Sequence, residues 1–164
     1  MDFGLKGKKA VVSGSTAGIG LAIATALAME GASVVVNGRT EARVNAALEK
    51  IRQHHKTADP QGFAADLGTA TGVATFVKQV PHADVLVNNL GIFELKRFEE
   101  IPDADWLRFF EVNVLSGVRL SRYYLPGMLK SNWGRIIFIS SESAVQIPAD
   151  PAIRTFWRLQ VGSA

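Results

Sequence analysis

The sequence predicts an α/β fold: a doubly wound parallel sheet in three layers, with helices on both faces. Three observations predict it. Short runs rich in β-branched residues alternate with longer helical stretches, one of these runs (33–37) contains three consecutive valines, and no linker or repeat divides the 164 residues. Strands without a polar face are typical of parallel sheets buried between helices. We therefore expect one domain, with the strand order 3-2-1-4-5.

Local signals delimit the individual elements. Gly31 follows the first helix, in the position where a left-handed backbone commonly ends helices. Thr40 is placed to cap the second helix, and Pro60 marks a break before the third strand. The predicted strands cover residues 10–13, 33–37, 62–65, 84–88 and 135–140, and the predicted helices cover 18–30, 41–54, 71–80 and 103–130.

Composition disfavours several classes of protein. The 18 Lys and Arg against 15 Asp and Glu give a net charge of only +3, and the basic residues are scattered, so we expect no nucleic-acid partner. With no cysteine and three histidines, we expect no metal site and no cysteine nucleophile. No apolar run approaches the ~20 residues that cross a bilayer. The N-terminus also lacks a signal-peptide pattern, so we expect a cytoplasmic chain with no membrane partner.

The segment that joins the first strand to the first helix reads SGSTAGIG over residues 13–20. Glycine here permits a tight turn and close approach of the backbone to a pyrophosphate, while the helix N-terminus offers unpaired N–H groups. The alternative is an ordinary strand-to-helix turn, but the position after the first strand favours a dinucleotide site. The predicted cofactor contacts in this loop are Gly14, Ser15, Thr16, Gly18, Ile19 and Gly20.

The loop spacing resembles the TGxxxGxG motif of the short-chain dehydrogenase/reductase family, with Ser13 in place of threonine. Further landmarks of that family follow in the same order along the chain: Asp66-Leu67, Asn88-Asn89-Leu90-Gly91 (NNAG in the family), Asn113 and Ser140-Ser141. The stretch 141–148 is similar to members of the 3-oxoacyl-(acyl-carrier-protein) reductase type.

The resemblance implies a Rossmann-like NAD(P)-binding domain over residues 1–150 that lacks the family's last strands and helices. It adds four cofactor contacts, which are Asp66, Leu67, Asn89 and Gly91. It also implies an oxidoreductase acting on a small carbonyl or alcohol substrate, and self-association as a homo-oligomer.

The end of the second strand indicates which cofactor binds. An acidic residue there would bond the ribose 2′-hydroxyl of NAD and repel a 2′-phosphate. The chain instead has Asn37-Gly38-Arg39, and an arginine can make a forked contact with a phosphate. This favours NADP over NAD, although a solvated surface arginine is the alternative.

The resemblance assigns catalytic roles to Asn113 and Ser141, as a residue that holds a relay water and a residue that orients the carbonyl. Asn113 shares a predicted apolar helix face with Trp106, Phe110, Gly117, Leu120 and Tyr124. Counting from Ser141, the family's catalytic tyrosine and lysine should stand at positions that hold Arg154 and Arg158, and no Tyr-x-x-x-Lys occurs in the sequence.

Arginine stays protonated and cannot donate the proton. We therefore expect a C-terminally truncated reductase with a divergent tail over residues 151–164, inactive alone. The alternatives are a non-catalytic nucleotide-binding or partner-binding module, and a non-functional frameshifted product.

Overall fold

The computed structural model of the chain describes residues 2–55 and 58–141, where strands and helices alternate as the sequence predicts. The strands are β1 (Lys9–Val12), β2 (Ser33–Gly38), β3 (Gln61–Ala64), β4 (Val85–Asn88) and β5 (Arg135–Phe138). The α-helices are α1 (Gly18–Met29), α2 (Glu41–His54), α3 (Ala70–Gln79), α4 (Asp103–Phe110) and α5 (Ser116–Lys130). A short 3₁₀ helix covers Phe98–Glu100.

The five described strands run parallel in one sheet with the order β3-β2-β1-β4-β5, which confirms the predicted fold class and strand order. Val12 of β1 lies opposite Val36 of β2 and Val87 of β4. The chain leaves β1 toward one side of the sheet and returns to the other side at β4. A crevice therefore opens beyond the carboxyl ends of β1 and β4, the usual ligand position in such sheets.

The core consists of two apolar layers on opposite faces of the sheet. Val12 packs in the layer under α1 and α2 with Ile51, whereas Val11 packs in the other layer with Phe76 and Leu120. All five side chains are fully buried. Because successive residues of a strand point to opposite faces, β1 contributes to both layers, as do β2 and β4.

The predicted helix over residues 103–130 is interrupted, which corrects one prediction about its buried face. A π-helical segment, Glu111–Leu115, separates α4 from α5. Phe110 is 53% exposed, whereas Phe109 is 3% exposed and packs with Ile101. A π turn contains an extra residue, so a three-and-four spacing does not extend across it.

Strand β5 is one of the two edge strands of the described sheet, and it pairs with β4. Its apolar residues Ile137 and Phe138 are 45% and 56% exposed. No helix in the described ranges is long and apolar enough to cross a membrane. The proposed boundary at residue 150, the tail 151–164 and the positions of Arg154 and Arg158 lie outside the described residues.

Phe76→Ala should destabilise the protein by about 3–5 kcal/mol, because truncating a fully buried aromatic ring leaves a cavity. Urea unfolding followed by circular dichroism measures the effect. Leu129→Ala is the control, since Leu129 is 70% exposed and its truncation should change stability by less than about 0.5 kcal/mol. Equal effects from the two substitutions would contradict the described core.

Candidate functional site

The loop between β1 and α1 packs directly on the residues that follow β4. A Cβ on Gly20 would lie 2.4 Å from Asn89 Nδ2 and 2.6 Å from the Gly14 carbonyl oxygen, so only glycine fits there. Gly14 has φ +60°, and a Cβ on it would lie 3.3 Å from Leu90 Cα. The close approach requires glycine at position 20, and the left-handed backbone favours glycine at position 14.

Reciprocal hydrogen bonds hold the two segments together. The Ser13 hydroxyl oxygen accepts the backbone N–H groups of Asn89 (2.9 Å) and Leu90 (3.0 Å). In return, Asn89 Nδ2 donates to the carbonyl oxygens of Ser13 and Gly14, each at 3.1 Å. Serine supplies the hydroxyl that the family's threonine would supply.

The side chains of Ser15 and Thr16 pack against β1 and β2. Ser15 is fully buried, and its hydroxyl donates to the Val12 carbonyl oxygen (2.6 Å) and accepts from Asn37 N (3.0 Å). A Cβ on Gly38 would lie 2.4 Å from Thr16 Cγ2, so Thr16 covers that glycine. The Ser15 hydroxyl thus fixes the loop, and its role as a cofactor contact stays a prediction.

The N-terminus of α1 differs from those of α2 and α3. Thr40 and Thr69 cap α2 and α3 by accepting a backbone N–H, whereas Ala17 at the start of α1 provides no side-chain cap. The first turn of α1, which contains Gly18, Ile19 and Gly20, carries no acidic residue. Its N–H groups and the positive end of the helix dipole therefore remain available to an anion.

A cavity of about 620 Å³ opens between the ends of β2, β3 and β4 on one side and α4 with the π-helical segment on the other. Arg39, Asp66 and Gly91 all line it. One Asp66 carboxylate oxygen accepts the N–H of Gly68 at 3.0 Å. Leu67 is 1% exposed and packs in the core, so its side chain does not line the cavity, and a cofactor contact would come from its main chain.

A second cavity, of about 380 Å³, contains the two predicted catalytic residues, Asn113 and Ser141. Ile19 and Asn89 also line it. The segment 90–92 lines both cavities, so the two cavities adjoin along it. We call the two cavities together the cofactor trough. Asn113 and Ser141 line the smaller cavity, and Arg39 and Asp66 line the larger one.

Asn113 lies in the π-helical segment and binds the backbone that borders the trough. Its Oδ1 accepts the Ile92 N–H at 2.7 Å, and its Nδ2 donates to the Ile92 carbonyl oxygen at 3.1 Å. Both polar atoms of this half-buried amide therefore bond to the backbone of Ile92, and the predicted role of holding a relay water would add to these bonds. Single π-helical turns of this kind are frequent at functional sites.

An ion-pair network, which the sequence analysis missed, ties residues 94–96 to α4. Arg108 pairs with Glu94 at 2.7 Å, and Lys96 pairs with Asp105. The hydrogen bond from Lys96 lowers the pKa of Asp105, and the hydrogen bond to Glu94 raises the pKa of Arg108. The sequence shows no helical spacing that would reveal this network, because Glu94 and Lys96 lie in the loop before α4 and only Asp105 and Arg108 lie in the helix.

The tyrosines lie outside the trough. The Tyr124 hydroxyl donates to the Val80 carbonyl oxygen at 2.8 Å, and burial raises the pKa of this phenol. Tyr123 donates to the Val77 carbonyl oxygen at 3.4 Å. Both phenols are engaged with α3 and its end, away from Asn113 and Ser141. Among the described residues, no group of three or more acidic, histidine or cysteine side chains could hold a metal ion.

Comparison with known proteins identifies the family. The sequence model described as short chain dehydrogenase matches residues 8–151. The chain belongs to the short-chain dehydrogenase family, and the resemblance drawn from the glycine loop and its companion motifs is confirmed.

Individual relatives agree with this assignment. The chain is 50% identical over 145 residues to the uncharacterized oxidoreductase YvaG of Bacillus subtilis, covering 88% of this chain and 55% of that protein. The chain spans about half the length of the curated relatives it matches.

Solved structures share the fold. A 3-oxoacyl (acyl-carrier-protein) reductase from Agrobacterium tumefaciens C58, solved with NADP bound, is 27% identical with a TM-score of 0.87, covering 99% of this chain and 62% of that one. A 7α-hydroxysteroid dehydrogenase complexed with NADH and 7-oxo glycochenodeoxycholic acid is 29% identical with a TM-score of 0.84, covering 97% and 62%.

Gly20→Ala should lower the free energy of unfolding by about 1–3 kcal/mol, because the new methyl group overlaps Asn89 Nδ2 and the Gly14 carbonyl oxygen. The same substitution at Gly127, an exposed α5 position with open space around a Cβ, should stabilise the helix by about 0.5–1 kcal/mol. Chemical denaturation of the two variants tests the close packing. A Gly20→Ala protein as stable as wild type would show that the loop and Asn89 are not in this contact.

Proposed function

We propose that the chain binds NADP(H) in the cofactor trough, with NAD(H) as the weaker ligand. The observation that carries the proposal is Arg39, which lines the 620 Å³ cavity at the end of β2 with no acidic residue beside it at position 37 or 38. A guanidinium at this place favours a ribose 2′-phosphate over a 2′-hydroxyl. The neighbours with bound cofactor include both NADP and NADH, so the choice depends on this chain's own residues.

The residues present fit a dinucleotide along the whole trough. The uncapped first turn of α1 suits the pyrophosphate, and the space around a Cβ on Gly18 is open, so a ligand can approach the bare backbone there. Asp66 and Gly91 line the larger cavity, where Asp66 would contact the adenine. The groups proposed to act on a substrate, Asn113 and Ser141, lie at the opposite end.

The reaction class that suits this arrangement is carbonyl and alcohol oxidoreduction on a small substrate. Bound NADPH would supply a hydride for a carbonyl carbon. The Ser141 hydroxyl would orient the carbonyl oxygen, and Asn113 would hold the segment at Ile92 that borders the reacting end.

We further propose that the 164 residues do not turn over a carbonyl substrate by themselves. Reduction needs an acid to protonate the alkoxide. The hydroxyl groups of Tyr123 and Tyr124 donate hydrogen bonds to backbone carbonyl oxygens outside the trough. A nucleotide-binding module that serves a partner or a second copy of the chain is the alternative, and a frameshifted product without function is another. The cytoplasmic location stays a prediction.

Arg39→Ala should weaken NADP⁺ binding roughly tenfold to 150-fold, the loss of one charge-assisted contact of about 1.5–3 kcal/mol. It should leave NAD⁺ binding unchanged, because NAD⁺ has no 2′-phosphate. Isothermal titration with both cofactors measures this. Arg52→Ala is the matched control, since Arg52 lies at the other end of α2 and pairs with Glu49. Equal losses for NAD⁺ and NADP⁺ would contradict the 2′-phosphate contact.

The purified 164-residue chain should show no measurable reduction of ketones or aldehydes, even with saturating NADPH. General acid assistance contributes roughly 10²–10⁴-fold to such reactions, and the proposed site lacks it. Loss of NADPH absorbance follows the reaction, with Ser141→Ala as the comparison. Turnover that Ser141→Ala abolishes would show that the trough reduces carbonyls without a tyrosine, and would overturn this part of the proposal.

A further inference from the structure

Asn37 is a buried polar residue that the sequence analysis treated only as a non-acidic position. It lies near the carboxyl end of β2 and is 1% exposed. A buried carboxamide is costly unless its donors and acceptor are bonded. The identity of its partners therefore shows what the residue does.

The side chain of Asn37 bonds to segments on both sides of β2. Its Oδ1 accepts the backbone N–H of Gly14 at 3.3 Å. Its Nδ2 donates to the carbonyl oxygens of Phe63 (3.3 Å) and Ala65 (3.1 Å). One amide thus joins the glycine loop, which follows β1, to the end of β3.

The main chain of Asn37 strengthens the connection to the loop. Its N–H donates to the Ser15 hydroxyl oxygen at 3.0 Å, and its carbonyl oxygen accepts the Ser15 N–H at 2.9 Å. The neighbouring Gly38 carbonyl oxygen accepts the N–H of Ala65 at 2.9 Å. The loop and the β3 end are therefore both fixed relative to β2.

The ends of β2 and β3 supply the proposed adenosine end of the trough, and the glycine loop is proposed to bind the adjoining pyrophosphate. Ala65 directly precedes Asp66, and Asn37 stands two residues before Arg39; Asp66 and Arg39 both line the cavity, and Asn37 does not. We infer that Asn37 is a positioning residue, whose carboxamide holds the glycine loop and the Asp66 segment at the separation that the adenosine half of NADP(H) requires. The inference rests on the proposed cofactor function.

The chemistry of the position requires an amide. Asn37 accepts from one side and donates to the other, which an aspartate of nearly the same shape cannot do, since an ionised carboxylate only accepts. In an Asn37→Asp protein the carboxylate would face the Phe63 and Ala65 carbonyl oxygens, and the two segments would separate. The substitution changes the hydrogen bonds while conserving the volume.

Isothermal titration of NADP⁺ into the wild-type chain and the Asn37→Asp variant tests the inference, because it returns the dissociation constant and the number of sites separately. Loss of folded protein lowers the number of sites, whereas mispositioning raises the dissociation constant of the folded molecules. We expect Asn37→Asp to raise the dissociation constant about tenfold or more with the number of sites retained. The adenosine-half probe adenosine 5′-phosphate, which lacks the 2′-phosphate, should lose affinity by the same factor, because mispositioning acts on it and repulsion between the new carboxylate and a 2′-phosphate does not.

Tyr124→Phe is the matched control. It removes a buried hydrogen bond on the α3–α5 side of the sheet, outside both cavities, so it should lower stability and leave the dissociation constant unchanged.

Asn37→Ser is the second variant of the tested position. Like Asn37→Asp, it should raise the dissociation constant of NADP⁺, because its side chain is too short to join the two segments.

The outcomes separate the two proposals. A wild-type chain that does not bind NADP⁺ overturns the proposed function, and with it this inference. Wild-type binding with unchanged dissociation constants in both Asn37 variants overturns the inference alone. Failure of both variants to fold also overturns it, since the amide would then serve the fold rather than the site.

Discussion

The close approach of the glycine loop to the segment after β4 is the constraint on which the rest of the site depends. Gly20 leaves no space for a Cβ against Asn89, and Gly14 approaches Leu90 closely in a left-handed conformation. Asn89 Nδ2 closes the contact by donating to two loop carbonyl oxygens. This packing sets where α1 begins. The position of the uncapped first turn of α1 sets where an anion can bind relative to the ends of the strands.

Interactions around this contact fix the two ends of the trough separately. At one end, Asn37 connects the loop to β3 and thus to Asp66. At the other end, Asn113 holds Ile92 from a π-helical segment, and ion pairs between residues 94–96 and α4 support the same stretch of chain. The trough is therefore bordered by segments that are bonded to the sheet or to α4.

Much of the fold could be predicted from the sequence, because the signals for its strands and helix ends are local. The apolar strands, Gly31 with φ +83° and the Thr40 cap are signals that neighbouring residues determine, and the structure confirms them. Phe110 could not be placed correctly, because the π turn that changes the helical spacing has no signature in the residue pattern. Leu67 was predicted as a cofactor contact from the family resemblance. A resemblance gives the position of a residue in the motif, whereas the structure shows that the Leu67 side chain is buried in the core.

The role of Asn37 depends on contacts between strands that only the folded sheet brings together. The measurement that tests the central claim most directly is a titration of the ¹⁵N-labelled chain with NADP⁺, followed by amide chemical shifts. The account predicts that the amides of Gly18, Gly20, Arg39 and Asp66 shift together along one saturation curve. Absent shifts, or shifts confined to residues outside the cofactor trough, would contradict it.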